Sequence, residues 1–198
     1  MKDIFENPDD DATPLAPDEK RGLLPDFVGT RADLNRVEQQ NIIQGARWAY
    51  ARKRNVLDVN FLCKLHQQMF GSVWDWAGTF RTSARNIGIE AAFITVSLHN
   101  MIEDVKTQIQ YQSYPPDEIV ARFHHRLVAI HPFPNGNGRF SRLATDLLAR
   151  QMGIELFTWG DATQLTAATD TRKAYIEALK AADGHDFAPL LAYLRPPV

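Results

Sequence analysis

Twelve residues constrain this chain more than any others: His131-Pro132-Phe133-Pro134-Asn135-Gly136-Asn137-Gly138-Arg139-Phe140-Ser141-Arg142. Before them, Ile119, Val120, Phe123, Leu127 and Ile130 recur on one apolar face and predict a helix over 119–130. After them, Leu143, Leu147, Leu148 and Met152 predict a second helix over 139–152, and Gly153 stands where a helix C-cap belongs. The chain must therefore turn through a short loop dense in Pro, Gly and Asn. The two glycines around Asn137 leave backbone N–H groups unscreened just ahead of a helix N-terminus. The helix dipole and those free N–H groups both favour an anion there. Arg139 and Arg142 are three apart, so they project from neighbouring helical positions and can each fork onto phosphate oxygens. His131, at the mouth of the loop, is a candidate base. The plain alternative is a turn-rich loop between two core helices, with His131 a structural histidine.

These residues resemble the motif of the Fic (Fido) domain family, His-x-Phe-x-Asp/Glu-Gly-Asn-Gly-Arg-x-x-Arg. Every specified position is matched except the acidic one, which is Asn135 here. Almost end to end, the chain is similar to the group called mobile mystery protein B. The resemblance implies a mostly α fold, a Fic-type helix bundle with a small β-hairpin flap. It implies a nucleotidyltransferase, a protein adenylyltransferase that moves AMP from ATP to a hydroxyl side chain of a target protein. In that reading His131 is the catalytic base. The backbone of Gly136, Asn137 and Gly138, with the Asn137 amide, faces the developing negative charge. Arg139 holds an inner phosphate and Arg142 an outer one.

Asn135 is the departure. The family's acidic residue ligates Mg²⁺, and an uncharged amide is a poorer ligand for a hard cation. Three readings stay open: weak Mg²⁺ use at Asn135, a different phosphate-bearing donor, or nucleotide binding without turnover. The contrasting hypothesis is a catalytically weak nucleotide-binding protein or a toxin–antitoxin interaction protein.

The rest of the chain fits around the motif. Residues 1–29 read as an acidic, proline-rich arm, with Leu23, Leu24 and Phe27 as its packing residues. Residues 30–54 read as a candidate inhibitory helix and 55–198 as the catalytic domain. Thr30 to Asp33 resembles a capping box, and Asp58 caps the next helix. Leu34-Asn35-Arg36-Val37-Glu38-Gln39 resembles the family's inhibitory segment, which places Glu38 opposite Arg142; an ordinary solvated glutamate is the other reading. Phe93 to Val96 and the segment around Asn86-Ile87-Gly88 predict a hairpin within 79–96, where an unknown target protein would pair by its backbone. Arg81 is read as either a phosphate or carboxylate partner or a solvated side chain. Ser97 caps the helix that follows. Tyr175 is either a wall for the nucleotide base or a core tyrosine. Self-modification is a further expectation.

The remaining residues mostly exclude. His124, His125 and His131 lack a carboxylate or cysteine to complete a metal site. His66, His99 and His185 have no evident partner. Cys63, the single cysteine, reads as core. A formal net charge of −2 argues against direct nucleic-acid binding. No long apolar run predicts a membrane span, and a cytoplasmic protein is expected.

Overall fold

The computed structural model describes residues 15–160 and 170–195; residues 1–14 of the expected arm lie outside them. In chain order the helices are α1 (Pro17–Lys20), α2 (Arg31–Tyr50), α3 (Val59–Phe70), α4 (Ile94–Tyr111), α5 (Pro116–Ile130), α6 (Asn137–Met152), α7 (Asp170–Asp183) and α8 (Ala188–Leu194). The fold is mostly α, as the sequence predicts. The central helix is α5, packed against α4, α6 and α8, while α2 pairs with α3 and α7 with α8.

Local chemistry sets most boundaries. Thr30 caps α2 by accepting from the Asp33 backbone N–H at 3.1 Å. Asp58 caps α3 by accepting from Phe61 N at 2.9 Å. Gly153 ends α6 in the left-handed conformation at φ 74°. The inward face of α2 is Leu34, Glu38, Asn41, Gly45 and Ala49, a helical repeat in which two members are polar. Asn41 earns its burial by donating to Gln68 O at 3.0 Å and accepting from Ser72 N at 2.9 Å. A side chain at Gly45 would meet the Met69 backbone at 2.8 Å, so glycine lets α2 seat directly on α3.

The expected hairpin flap is not there. Among the described residues, 79–90 form no strand. Phe93 ends a 3₁₀ turn (Ala91–Phe93), and Ile94 to Val96 open α4, which begins a turn earlier than a Ser97 cap requires. The cause is the longer pattern. Ile94, Leu98, Met101, Ile102 and Val105 repeat with helical spacing and are all buried, which outweighs the strand preference of Ile94 and Val96. In place of a strand ladder, Arg81 organises the 79–90 loop. It is only 2% exposed, and its guanidinium donates to Ser83 O at 2.9 Å and to Ile89 O.

The arm also differs from expectation. Leu23 forms an isolated antiparallel bridge with Trp74. Leu24 N donates to Val73 O and Asp75 N to Gly22 O, each at 2.9 Å. Val28 is buried, whereas Leu24 and Phe27 are exposed. No helix among the described residues is long and apolar enough to cross a membrane.

Candidate active site

The motif begins at the end of α5. His131 is its C-cap, at φ 52°, a left-handed conformation uncommon outside glycine but tolerated by histidine. The chain turns there from α5 into Pro132–Gly136. Arg81 fixes it: its Nε donates to His131 O at 2.7 Å and its backbone N–H to Pro132 O at 3.0 Å. Gly88 presses on the same residue. Its φ is +94°, and a Cβ there would lie 2.6 Å from His131 Cβ. Sequence reasoning left Arg81 undecided; here it is the brace of the loop that walls His131.

The floor of the loop is built by an internal lock. Asn137 Oδ1 accepts from Phe133 N at 3.0 Å, and its Nδ2 donates to Phe133 O at 2.8 Å. The Asn137 amide thus shapes the turn with its oxygen and one of its two N–H donors. His66 supplies a second strut, and sequence reasoning gave it no partner. Its Nδ1 accepts from Gly78 N at 3.0 Å, so its Nε2 carries the proton donated to Asn135 O at 3.1 Å. The ring stacks on Phe133, centroids 3.8 Å apart. Burial drives its pKa down to about 3, which keeps this strut neutral.

Gly136 opens α6 at φ +76°, where a Cβ would lie 2.5 Å from the Phe70 ring. Its N–H is taken by Asn135 Oδ1 at 2.5 Å. At the start of α6, the N–H groups of Asn137, Gly138 and Arg139 have no partner among the described residues. The open donors therefore sit one residue later than the sequence suggests. Arg142 comes back over Gly138, where a Cβ would be 3.9 Å from its Nη1. Its guanidinium makes no hydrogen bond or ion pair with the described residues, and burial lowers its pKa. A desolvated cation with no partner among the described residues, beside open helix N–H groups, is an arrangement suited to a phosphate.

Glu38 is buried at 7% exposure and reaches this site, but through Arg139 and not Arg142 as expected. Its Oε2 pairs with Arg139 Nη1 at 2.7 Å, while Oε1 accepts from Trp74 Nε1 at 2.8 Å. The first motif arginine is the one that meets α2.

The His131 ring is buried and makes no hydrogen bond with the described residues. Burial first, then the charges of Arg81 and Arg85, push its pKa down to about 4. The imidazole is neutral at pH 7 and able to accept a proton.

Behind Arg142 runs a buried relay. Thr145 Oγ1 donates to Ser141 O at 2.7 Å, so it accepts from His124 Nδ1 at 2.9 Å; His124 Nε2 then accepts from the Tyr175 hydroxyl at 2.7 Å. Tyr175 is buried with its hydroxyl spent on His124. His125 instead pairs with Asp183 on α7 at 2.8 Å. The three neighbouring histidines thus serve separate purposes. Cys63 is half-buried, and burial pushes its thiol up to about 11, so it is no nucleophile at neutral pH.

The described residues do not fit a resident Mg²⁺. No group of three His, Cys, Asp or Glu side chains converges among them. Asn135 Oδ1 faces the Gly136 N–H, and the Glu38 carboxylate is held by Trp74 and Arg139. Hard cations favour free carboxylate oxygens, which are missing from this arrangement.

Residues 56–149 match the Fic/DOC family. The sequence is 24% identical over 151 residues to the protein adenylyltransferase fic-1 of Caenorhabditis elegans, covering 73% of this chain and 28% of that protein. The chain thus spans under a third of the length of that relative. The fold is similar to BepC of Bartonella tribocorum, solved with bound AMPPNP: TM-score 0.64, 18% identity, 90% of this chain and 96% of that one. It is also similar to a Bartonella quintana Fic domain with bound ADP: TM-score 0.66, 17% identity, 85% of this chain and 86% of that one.

Proposed function

Because residues 56–149 match the Fic/DOC family, we propose that the chain is a protein adenylyltransferase. It moves AMP from ATP to a hydroxyl of a target protein. His131 takes the hydroxyl proton as the oxygen attacks the α-phosphorus. A new P–O bond forms to the target, the bond to the β-phosphate oxygen breaks, and pyrophosphate leaves. The N–H groups of Asn137, Gly138 and Arg139, with Arg142, hold the negative charge that spreads over the phosphate oxygens. One such donor is commonly worth about 2.7–4 kcal/mol of barrier. ATP arrives with its own Mg²⁺ as the substrate complex. Its negative charge offsets Arg81 and Arg85 and raises the His131 pKa toward the working pH.

The observation that carries this reading is one motif that holds a neutral, buried His131 at the end of α5 and, at the open α6 N-terminus, an Arg142 with no partner among the described residues. The supporting test is label transfer from ATP to protein, with His131→Ala as the control. Residues 30–54 act as the inhibitory helix and 55–198 as the catalytic domain. Glu38 occupies Arg139 and competes with the inner phosphate. The target approaches along the 79–90 loop, where Ile87 is exposed, and the chain is one of its own targets. Asn135 favours a second reading, nucleotide binding without turnover. Tight nucleotide binding with no label transfer would establish it.

A further inference from the structure

The segment 15–29 does more than pack. Glu19, in α1, is buried, and its carboxylate forms an ion pair with Arg85 of the 79–90 loop. The two residues are 66 apart in the chain. Both side chains are desolvated, at 9% and 6% exposure. The Glu19 carboxylate also accepts from Ala16 N at 2.7 Å, and its backbone carbonyl accepts from Trp76 Nε1 at 3.0 Å. Glu19 is therefore fixed from both sides, and Arg85 docks on a rigid anion. Arg85 has no other charged partner among the described residues, and its Nε is buried without a hydrogen bond.

The loop that Arg85 belongs to is short of other anchors. It has no strand ladder. At its start Arg81 fastens it to His131 O and Pro132 O. Toward its end Gly88 rests against His131 Cβ. Between those points, Thr82, Ala84, Asn86 and Ile87 are exposed. We propose that Glu19 is a positioning residue: through Arg85 it holds the 79–90 loop, and with it Gly88, over His131, so that the N-terminal segment sets access to the proposed base. This rests on the assignment of His131 made above, but it concerns placement and is measurable without turnover.

Breaking one partner of a buried ion pair leaves the other charge desolvated and unpaired, which favours opening of the weaker element. That element is the loop, not the helical core. Histidine carbethoxylation with diethyl pyrocarbonate, followed residue by residue by mass spectrometry on the full chain, reads the opening directly. Glu19→Gln removes the charge and keeps the shape. The expected result is a rise of about tenfold or more in the His131 rate, the change that corresponds to 1.4 kcal/mol in the opening equilibrium. His66 and His124, both fully buried, should stay protected, and exposed His99 and His185 should react as before. Arg85→Gln should give the same rise, and the double variant no more than either single. The charge-swapped pair Glu19→Arg with Arg85→Glu should restore protection. An unchanged His131 rate in both single variants would overturn the proposal. So would additive effects, or a joint rise at His66 and His124, which would mean the pair only stabilises the fold. A chain inactive in label transfer but showing the expected pattern would retain Glu19 as the loop's anchor and refute the function instead.

Discussion

Glu38 Oε2 lies 2.7 Å from Arg139 Nη1, across 101 residues of sequence, with the other carboxylate oxygen on Trp74 Nε1. The indole bond aims the carboxylate, and the arginine so held is one of the two that a polyphosphate would use. A charge-assisted pair is stronger than a neutral hydrogen bond, and Glu38 is too buried for water to screen it fully. Glu38→Gly should therefore raise label transfer from ATP. A competing penalty of about 1.4 kcal/mol already corresponds to tenfold. Arg139→Ala in the same chain should remove the gain. Equal transfer by wild type and a folded Glu38→Gly would mean that the pair does not compete with nucleotide.

His131→Ala should lower transfer by about 10²–10⁴-fold, the usual contribution of a positioned general base. Nucleotide affinity should change little, because the open N–H groups and Arg142 lie on α6. Calorimetric titration with a non-hydrolysable ATP analogue checks the second half. A large loss of affinity would make His131 a binding residue.

The pH dependence of stability follows from three histidines. His66 and His124 are held down to about 3 and His131 to about 4, against 6.5 unfolded. Below pH 6.5 the unfolded chain takes up protons that the folded chain refuses, so stability falls as pH drops from 6.5 toward 4. Asp146 opposes this in part. Burial raises its pKa to about 6, which favours the fold at the acid end of the window. Denaturant midpoints should decline from pH 7 to 4.5, and Asp146→Asn should steepen the decline. A flat profile over that window would contradict the neutral, buried state of these rings.

Asn135→Asp supplies the missing carboxylate at a residue whose Oδ1 already accepts from Gly136 N. An aspartate can keep that bond and still present an oxygen to a cation. Transfer should become more dependent on Mg²⁺ and faster at saturating metal. The check is a Mg²⁺ titration of the rate; identical curves would mean that position 135 takes no part in metal use.

The sequence carried the fold class and the motif because both rest on local periodicity and fixed spacing. The helices around 119–130 and 139–152 follow from their apolar repeats, and the caps at Thr30 and Asp58 from single residues. What it hid were pairings between distant residues. Arg81, Glu19 and His66 are polar side chains whose partners lie on other elements, and nothing near them in the chain announces burial. Glu38 was visible as a candidate, but its choice of Arg139 over Arg142 is a contact between α2 and α6, 101 residues apart, that local spacing does not decide. The flap was misread because four residues, Phe93 to Val96, look extended in isolation and helical only against Leu98 to Val105. The turn-shaping role of the Asn137 amide was hidden too, since a motif gives residue types and not which hydrogen bonds they have already made.

The central claim is that the α6 N-terminus and His131 transfer AMP, and the position of the label decides it. Two samples of the full chain with Glu38→Gly are incubated with Mg²⁺, a protein extract and ATP labelled on either the α- or the γ-phosphate. Over the background of the extract alone, the prediction is added protein-bound label from the α-phosphate only, added pyrophosphate in equal amount, and a loss of both by about 10²–10⁴-fold when His131→Ala is added. Label from the γ-phosphate, or no protein-bound label although the nucleotide binds, would contradict it.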